Sequence, residues 1–527
     1  MKSILEKYKI VRILALFGLI SFGCSESLLE YDQRGVQTKE SFYKTDTQAY
    51  EALMAVFDQW QGGTSMTFFY TNVALSDEAY AGGGGRGDNS GILEELNEYR
   101  FTPTTTAIKN YYSWLYYVVN RANLVIDNVE ADTSNKTIFV GMAKAMRATA
   151  YFYLVNSWGD VPLVLHELSA SESSAERTPK AEVYTQIEKD LTEAIAALPL
   201  RSAMPTAYKQ LLSKGSVQAM LGKAYLFEKK YTEAAAMFEN IIASNEYSLY
   251  PDYSKVLRKD TEFGVESLWE VSFVTTMGYS FPGSEAWFGP MWSPRTEFLP
   301  GAIYGKLDLT NYGWGFLMPQ KALYDAYTNA GDAVRRASTV IGPVELEALG
   351  GKYMNAARTS TPYGNDGYIR LKFLPYLSEG GGSNDFLKMA NCGTNFRMIR
   401  YADVLLMAAE ANNRKSTPDD AKAKAYLNLV RARVQLAPVT STSTDLFTAI
   451  KTERKLELAF EGQRFLDLQR WGDAYAALKD QGKSIPDGAG GFLSPAGAGY
   501  KQGKNELLPI PVYETTVNTA MTQNPGY

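Results

Sequence analysis

Glu453, Glu457 and Glu461 recur at four-residue spacing in a stretch, residues 452–471, that also holds Arg454, Arg464, Asp467 and Arg470. On a helix this spacing stacks three carboxylates on one face. Two chemistries use such acids. Di-iron sites take inward Glu residues but also need Glu-x-x-His pairs, and the chain has one histidine, His166. Glycoside hydrolases use two carboxylates whose separation is set by the fold, so sequence leaves that chemistry open. The plainer reading is a lattice of ion pairs, Glu461 to Arg464 and Asp467 to Arg470, holding the helix to its neighbours.

The other reactive residue types are scarce. Two cysteines, Cys24 and Cys392, and one histidine do not supply a zinc site. No nucleophile motif lies near His166, which reads as an exposed loop residue. The run Gly82–Gly85 has no following GK[ST] and no preceding strand, so it is not a phosphate loop. It reads, with the tripeptide Arg86–Asp88, as a flexible loop. The 53 basic and 58 acidic residues leave a net charge of -5, a poor match to a nucleic-acid backbone.

The N-terminus accounts for one cysteine. Lys2, Lys7, Lys9 and Arg12 precede an apolar run from Ile13 to Phe22, then Gly23 and Cys24. A basic start before a short apolar run is a secretory signal, too short for a permanent membrane span. The Cys at its end resembles a lipoprotein signal, with Ser21 and Phe22 where that pattern has Leu and a small residue. The expectation is removal of residues 1–23 and lipidation of Cys24; an ordinary signal peptide cut elsewhere is the alternative. Cys392 is then a lone thiol.

The elements that would position any site are mostly helical. Apolar periodicity predicts helices over 41–60, capped by Ser41, and over 107–128, 137–157 and 180–198. Segment 214–244 is close to the tetratricopeptide pattern: Gly222, Ala224 and Tyr225 on one helix face Tyr231, Ala234, Ala235 and Phe238 on the next. A looser pair runs from 396 to 434, and one long helix is expected over 445–471. Between them, 245–395 is rich in Gly, Pro, Ser and aromatics, including Trp269, Trp287, Trp292 and Trp314. It reads as loops with short strands or helices. Long loops on a rigid scaffold are where binding residues tend to lie.

Taken in order, these segments resemble the SusD/RagB family of nutrient-uptake lipoproteins. SLLEYDQRG follows Cys24. YYSWLYYVVNRANLVID (111–127) resembles the family's aromatic helix. AMRATAYFYLVNSWGDVPLV (145–164) is similar to its most recognisable segment, with Arg147, Tyr151, Trp158, Gly159, Asp160 and Pro162. KGSVQAMLGKAYLF (214–227), RYADVLLMAAEANN (400–413), YLNLVRAR (426–433) and ERKLELAFEGQRFLDLQRWGD (453–473) follow in the family's order. LLPIPVYE and QNPGY close the chain.

The resemblance implies a mainly α, SusD-like fold: about four tetratricopeptide-like helix pairs, mainly 41–244 and 396–471, with a loop-rich insert over about 245–395, in one domain spanning 24–527. It implies a cell-surface protein that binds oligosaccharide without cleaving it, as the lid of a SusC-type TonB-dependent outer-membrane transporter. No cofactor is indicated; some members hold a structural calcium ion, and no EF-hand pattern is present here. Sugar rings stack their C–H faces on aromatic planes and need polar partners for their hydroxyls. Two regions corresponding to the family's glycan sites offer both. Loop 77–90 carries Asp77, Tyr80, Arg86 and Asn89; loop 273–314 carries Tyr279, Trp287 and Trp292. Trp158, Trp314 and Trp471 are expected to pack. The competing readings are a secreted helical glycoside hydrolase and a helical-repeat scaffold that binds only protein.

Overall fold

The computed structural model describes residues 42–168, 174–273, 291–309, 313–355, 360–374, 376–379 and 393–527. The first helix, α1 (Asp46–Gly63), starts at a capping box. The Thr45 hydroxyl accepts from Gln48 N at 3.2 Å and Gln48 Oε1 accepts from Thr45 N at 3.0 Å. Ser41, the cap expected from sequence, lies outside the described residues. Then come α2 (Thr106–Asn128), α3 (Ser134–Trp158), α4 (Lys180–Ala197), α5 (Lys214–Phe227) and α6 (Tyr231–Ala243). Thr133 caps α3, and Gly159, at φ 74, ends it. After the insert, α7 (Tyr401–Arg414) and α8 (Asp420–Arg433) complete the series.

Helices α1 and α2, α3 and α4, α5 and α6, and α7 and α8 pack as four pairs. Each pair also packs on the next. In particular α6 packs on α7, so the insert leaves the stack unbroken. The tetratricopeptide reading of α5 and α6 holds at atomic detail. A Cβ on Gly222 would lie 2.6 Å from the Phe238 ring, and Ala224, Ala234 and Phe238 are fully buried. Gly222→Ala is therefore expected to cost about 1–3 kcal/mol through overpacking, read as a lower urea midpoint. Ala at the exposed Gly305, where nothing lies within 4 Å, should show no such loss.

Two expectations are corrected. Residues 396–400 are a strand, not the start of a helix. The single helix expected over 445–471 is two, α9 (Ser443–Glu457) and α10 (Arg464–Trp471). Phe460 and Gly462 lie in the left-handed region, at φ 60 and 71, which no continuous helix accepts.

The strands form two-stranded ribbons. They are β1 (Ala79–Gly82) with β3 (Phe316–Pro319), β2 (Ser267–Val271) with β6 (Phe396–Arg400), β4 (Val340–Ile341) with β5 (Ile369–Arg370), and β7 (Ile485–Pro486) with β8 (Phe492–Leu493), all antiparallel. The β2–β6 ribbon closes the base of the insert. Within the insert, helices Lys321–Asn329 and Ala333–Thr339 confirm short elements among loops. Among the described residues no helix is long and apolar enough to cross a membrane.

Candidate functional site

The carboxylate row is buried and occupied by cations. Glu457 meets Arg335 at 2.9 Å, Arg400 at 2.5 Å, and Arg433. Glu461 meets Arg400 at 2.8 Å and Lys372 at 2.6 Å; Glu453 meets Arg335 at 2.5 Å and Arg431 at 2.7 Å. The lattice is real, but one expected pair is not. Asp467 does bond Arg470 at 2.8 Å. Arg464 instead reaches Asp77 at 2.7 Å, because the break at Phe460 and Gly462 takes Glu461 out of helical register with it.

Burial alone would raise Glu457, Glu461 and Asp467, yet their cations win. Arg433, Arg400 and Arg335 hold Glu457 well below its ordinary range. Arg400 then Lys372 lower Glu461, and Arg454 then Arg470 lower Asp467. A carboxylate depressed in the fold contributes stability above its unfolded value, about 4, and loses it as pH falls further. Glu78 works in the opposite sense. Burial, then Asp77, pushes it up to about 7, so the cost of its charge is absent below about pH 4.5 and complete above 7. The urea midpoint is thus expected to be highest near pH 5, lower at pH 8, and to fall steeply below pH 4. A midpoint that stays level from pH 5 to pH 3 would contradict this.

A second polar cluster faces solvent. It is built on the β1–β3 ribbon, where Tyr80 pairs with Met318 and Gly82 with Phe316. Gly82 and Gly83, at φ 70 and 100, turn the chain out of β1. A Cβ on Gly82 would lie 2.2 Å from Gly315 O, so only glycine allows the ribbon to close there. The following loop is ordered by its own side chains. Asp88 Oδ2 accepts from Gly84 N at 2.7 Å, and Glu94 Oε1 from Gly87 N at 2.8 Å. The sequence reading of this stretch as a flexible loop therefore omits a strand and a set of bonded turns.

The expected ligand residues fall into three groups. Tyr80, Arg86 and Asn89 share this loop surface. Tyr80 Oη donates to Asp366 at 2.9 Å. Burial, then Asp366, raises its phenol well above the usual range. Arg86 grips Glu98 through two bonds, at 2.6 and 2.9 Å, and donates to Tyr363 Oη at 3.1 Å. The Glu98 hydrogen bond pushes its guanidinium up, so it stays charged. Its side chain is 36% exposed, so the charge remains open to a ligand. Asn89 donates to Tyr70 Oη. Asp77 and Trp292 are elsewhere in role. Asp77 is spent on Arg464 and Lys455, at 2.7 and 3.0 Å, and is held below its ordinary range by them against the effect of burial. Trp292 is 0% exposed and packs on Phe69 at 4.2 Å between ring centroids, which leaves no face for a sugar. Tyr279, Trp287 and Cys24 lie outside the described residues.

The fold adds groups the sequence did not single out. Arg295 lies 3.9 Å from Asp88 and bonds Glu297 at 2.6 Å. Half-buried Trp314 packs against the core beside them. Asp366 and Tyr363 belong to YGNDGY (363–368), a Gly- and Asn-rich turn between aromatics, which was the one local signal that could have found them. The result is a face with exposed Arg86 and Asp88, half-buried Tyr80, Asn89, Arg295 and Asp366, and an aromatic margin. Such a face can hold a neutral polyhydroxylated ligand by directional hydrogen bonds and ring contacts. Among the described residues no group of three or more His, Cys, Asp or Glu is arranged to hold a metal ion.

Helix pairs carrying a loop-borne polar and aromatic face define a class of helical-repeat binding scaffold. Comparison with known proteins makes that specific. Residues 266–527 match the SusD family model, and residues 85–226 match one described as starch-binding associating with outer membrane. A SusD-like protein of Formosa agariphila is 28% identical over 99% of this chain and 100% of its own. A solved structure titled laminarin binding SusD-like protein is 33% identical, with a TM-score of 0.77 over 92% of this chain and 100% of that one. Surface glycan-binding protein A from Bacteroides thetaiotaomicron, solved in complex with laminarihexaose, has a TM-score of 0.73 at 23% identity over 91% of this chain and 100% of its own. The chain belongs to the SusD/RagB family.

Proposed function

We propose that the protein captures oligosaccharide at the loop face formed by Tyr80, Arg86, Asn89 and their neighbours, does not cleave it, and passes it to a SusC-type TonB-dependent transporter in the outer membrane. Tyr279 and Trp287 are further ligand contacts in this reading. Residues 1–23 are removed, Cys24 carries the lipid anchor, and 24–527 folds as one domain facing the cell exterior.

The observation that carries the proposal is similarity over 92% of this chain, at 33% identity, to a solved protein of the same fold titled laminarin binding. The rival hydrolase needs two carboxylates free to act on substrate, whereas Glu453, Glu457 and Glu461 are each bound to cations. The test is binding of residues 25–527 to a panel of glycans headed by laminarihexaose, with product analysis on every positive. A bound and intact glycan is expected. Arg86→Ala should weaken it roughly tenfold, as loss of one charge-assisted bond does, and should also lower the melting midpoint, because buried Glu98 is left with Arg100 as its cation. Cleavage, or binding indifferent to Arg86, would overturn the reading.

A further inference from the structure

A cavity of about 280 Å³ lies between α1, β2 and the loops around Gln210 and Phe263. It shares no residue with the loop face. Half-buried Phe57 and Phe263 supply the accessible apolar walls, and Trp269, 3% exposed, backs them. Trp269 is held by Trp60, with ring centroids 5.2 Å apart. Trp60 is only 1% exposed, and its indole N–H has no hydrogen-bond partner among the described residues. A buried donor left unpaired is costly, and native proteins satisfy nearly all of them with protein, water or ligand.

The polar groups divide sharply into spent and free. Glu270, on the same wall, accepts from Phe263 N at 2.8 Å and Asn395 Nδ2 at 3.0 Å and meets Arg397 at 3.3 Å. Gln61 donates to Ser272 O. Asp58 and Gln210 have exposed side chains and make no hydrogen bond or ion pair among the described residues. The cavity thus offers aromatic walls, one carboxylate that accepts, and one amide that donates and accepts. Its volume sits just below the usual ligand range of about 300–1,000 Å³, which suits one ring rather than a chain.

We propose that this cavity is a second saccharide site, taking a single pyranose ring or chain end against Phe57 and Phe263, with Asp58 and Gln210 bonding its hydroxyls and the buried Trp60–Trp269 pair behind them sensing occupancy. The choice of a saccharide over another small amphipathic ligand rests on the glycan-binding reading above. The site would let one protein hold a long glycan at two points, or hold a released end.

The test is fluorine NMR of the purified chain labelled with 5-fluorotryptophan, titrated with methyl β-D-glucoside and with laminarihexaose. Trp60→Phe, Trp269→Phe and Trp314→Phe assign the three resonances that matter. The expected result is a saturable shift of the Trp60 and Trp269 resonances, weakened at least fivefold by Asp58→Ala and by Gln210→Ala. Both positions are exposed, so their variants should keep the fold. Response at Trp314 alone would overturn the second site and leave the loop face standing. Response at Trp60 and Trp269 alone would support the second site and count against the loop face. Shifts at Trp60 and Trp269 that are indifferent to both variants, or no shift at any of the three, would overturn the proposal.

Discussion

Replacing Arg400 by Met is expected to cost about 3–5 kcal/mol of stability, a large fraction of what holds a domain folded. Arg400 is 1% exposed. It donates to Glu461 twice at 2.8 Å, to Glu266 at 2.8 Å, to Glu457 at 2.5 Å, and to the Glu457 carbonyl at 2.7 Å. These partners come from the end of α9, from the turn after it and from the residue before β2, while Arg400 itself ends β6 and leads into α7. One guanidinium therefore joins the insert to the helix stack. Met fills similar space but leaves three buried carboxylates short of a cation, and that uncompensated charge is the source of the loss. The measurement is a urea denaturation series at pH 7, with Lys321→Ala as control. Lys321 makes only an exposed pair with Asp325, and its loss should leave the midpoint in place. A double variant, Arg400→Met with Glu457→Gln, should recover part of the loss, because it removes one of the stranded charges. If Arg400→Met were as mild as Lys321→Ala, the network would be a by-product of packing rather than a determinant of how the two regions meet.

The helix pairs were legible because helical periodicity and caps are local signals. Gly222 facing Phe238 could be read from spacing alone; the exposure of His166, whose side chain is 80% exposed, followed from its polar surroundings, and the burial of Trp158 was expected alongside the family resemblance. The ribbons were not legible. Their strands run from two to five residues, and β1 finds β3 far along the chain, so no local pattern announces the pairing. The same distance hid the loop face. Arg86 bonds Glu98, twelve residues on, but Tyr80 bonds Asp366, 286 residues away, and Arg86 bonds Tyr363, 277 away. Asp77 shows the converse. In sequence it is one more polar residue ahead of a Gly-rich loop; in space Arg464 and Lys455 converge on it. Trp292 was placed with the ligand aromatics by its region, through the family resemblance, yet the fold buries it against Phe69. An aromatic-rich insert must build its own core before it can offer rings to a ligand, and sequence does not say which rings do which.

Trp158→Ala is expected to cost about 3–5 kcal/mol, the range for deleting a buried aromatic, and to free the C-terminal segment. The Trp158 side chain is 0% exposed and packs on Tyr111 and Tyr112, with centroids 5.3 and 5.2 Å away. Its indole N–H donates to Pro509 O at 2.9 Å. Its own carbonyl accepts from Asn524 Nδ2 at 3.0 Å and from Arg177 Nη2 at 3.1 Å. Leu508 N donates to Ser157 O at 2.7 Å, and Asn524 Nδ2 also reaches Leu508 O at 2.7 Å. The two closing motifs, LLPIPVYE and QNPGY, are thus fastened to the end of α3 and to each other. Alanine removes the ring that fills this joint and strands the Pro509 carbonyl. Trp158→Phe keeps most of the packing and loses mainly the hydrogen bond, so it should cost less, about 1–3 kcal/mol. Limited proteolysis separates the two effects. With Trp158→Ala the segment 507–527 should be cut well before the helix stack under native conditions, and Asn524→Ala should show the same order of cutting with a smaller loss of stability. A Trp158→Ala protein whose C-terminus is no more readily cut than the parent would mean that the tail is held by Arg177 and its partners alone.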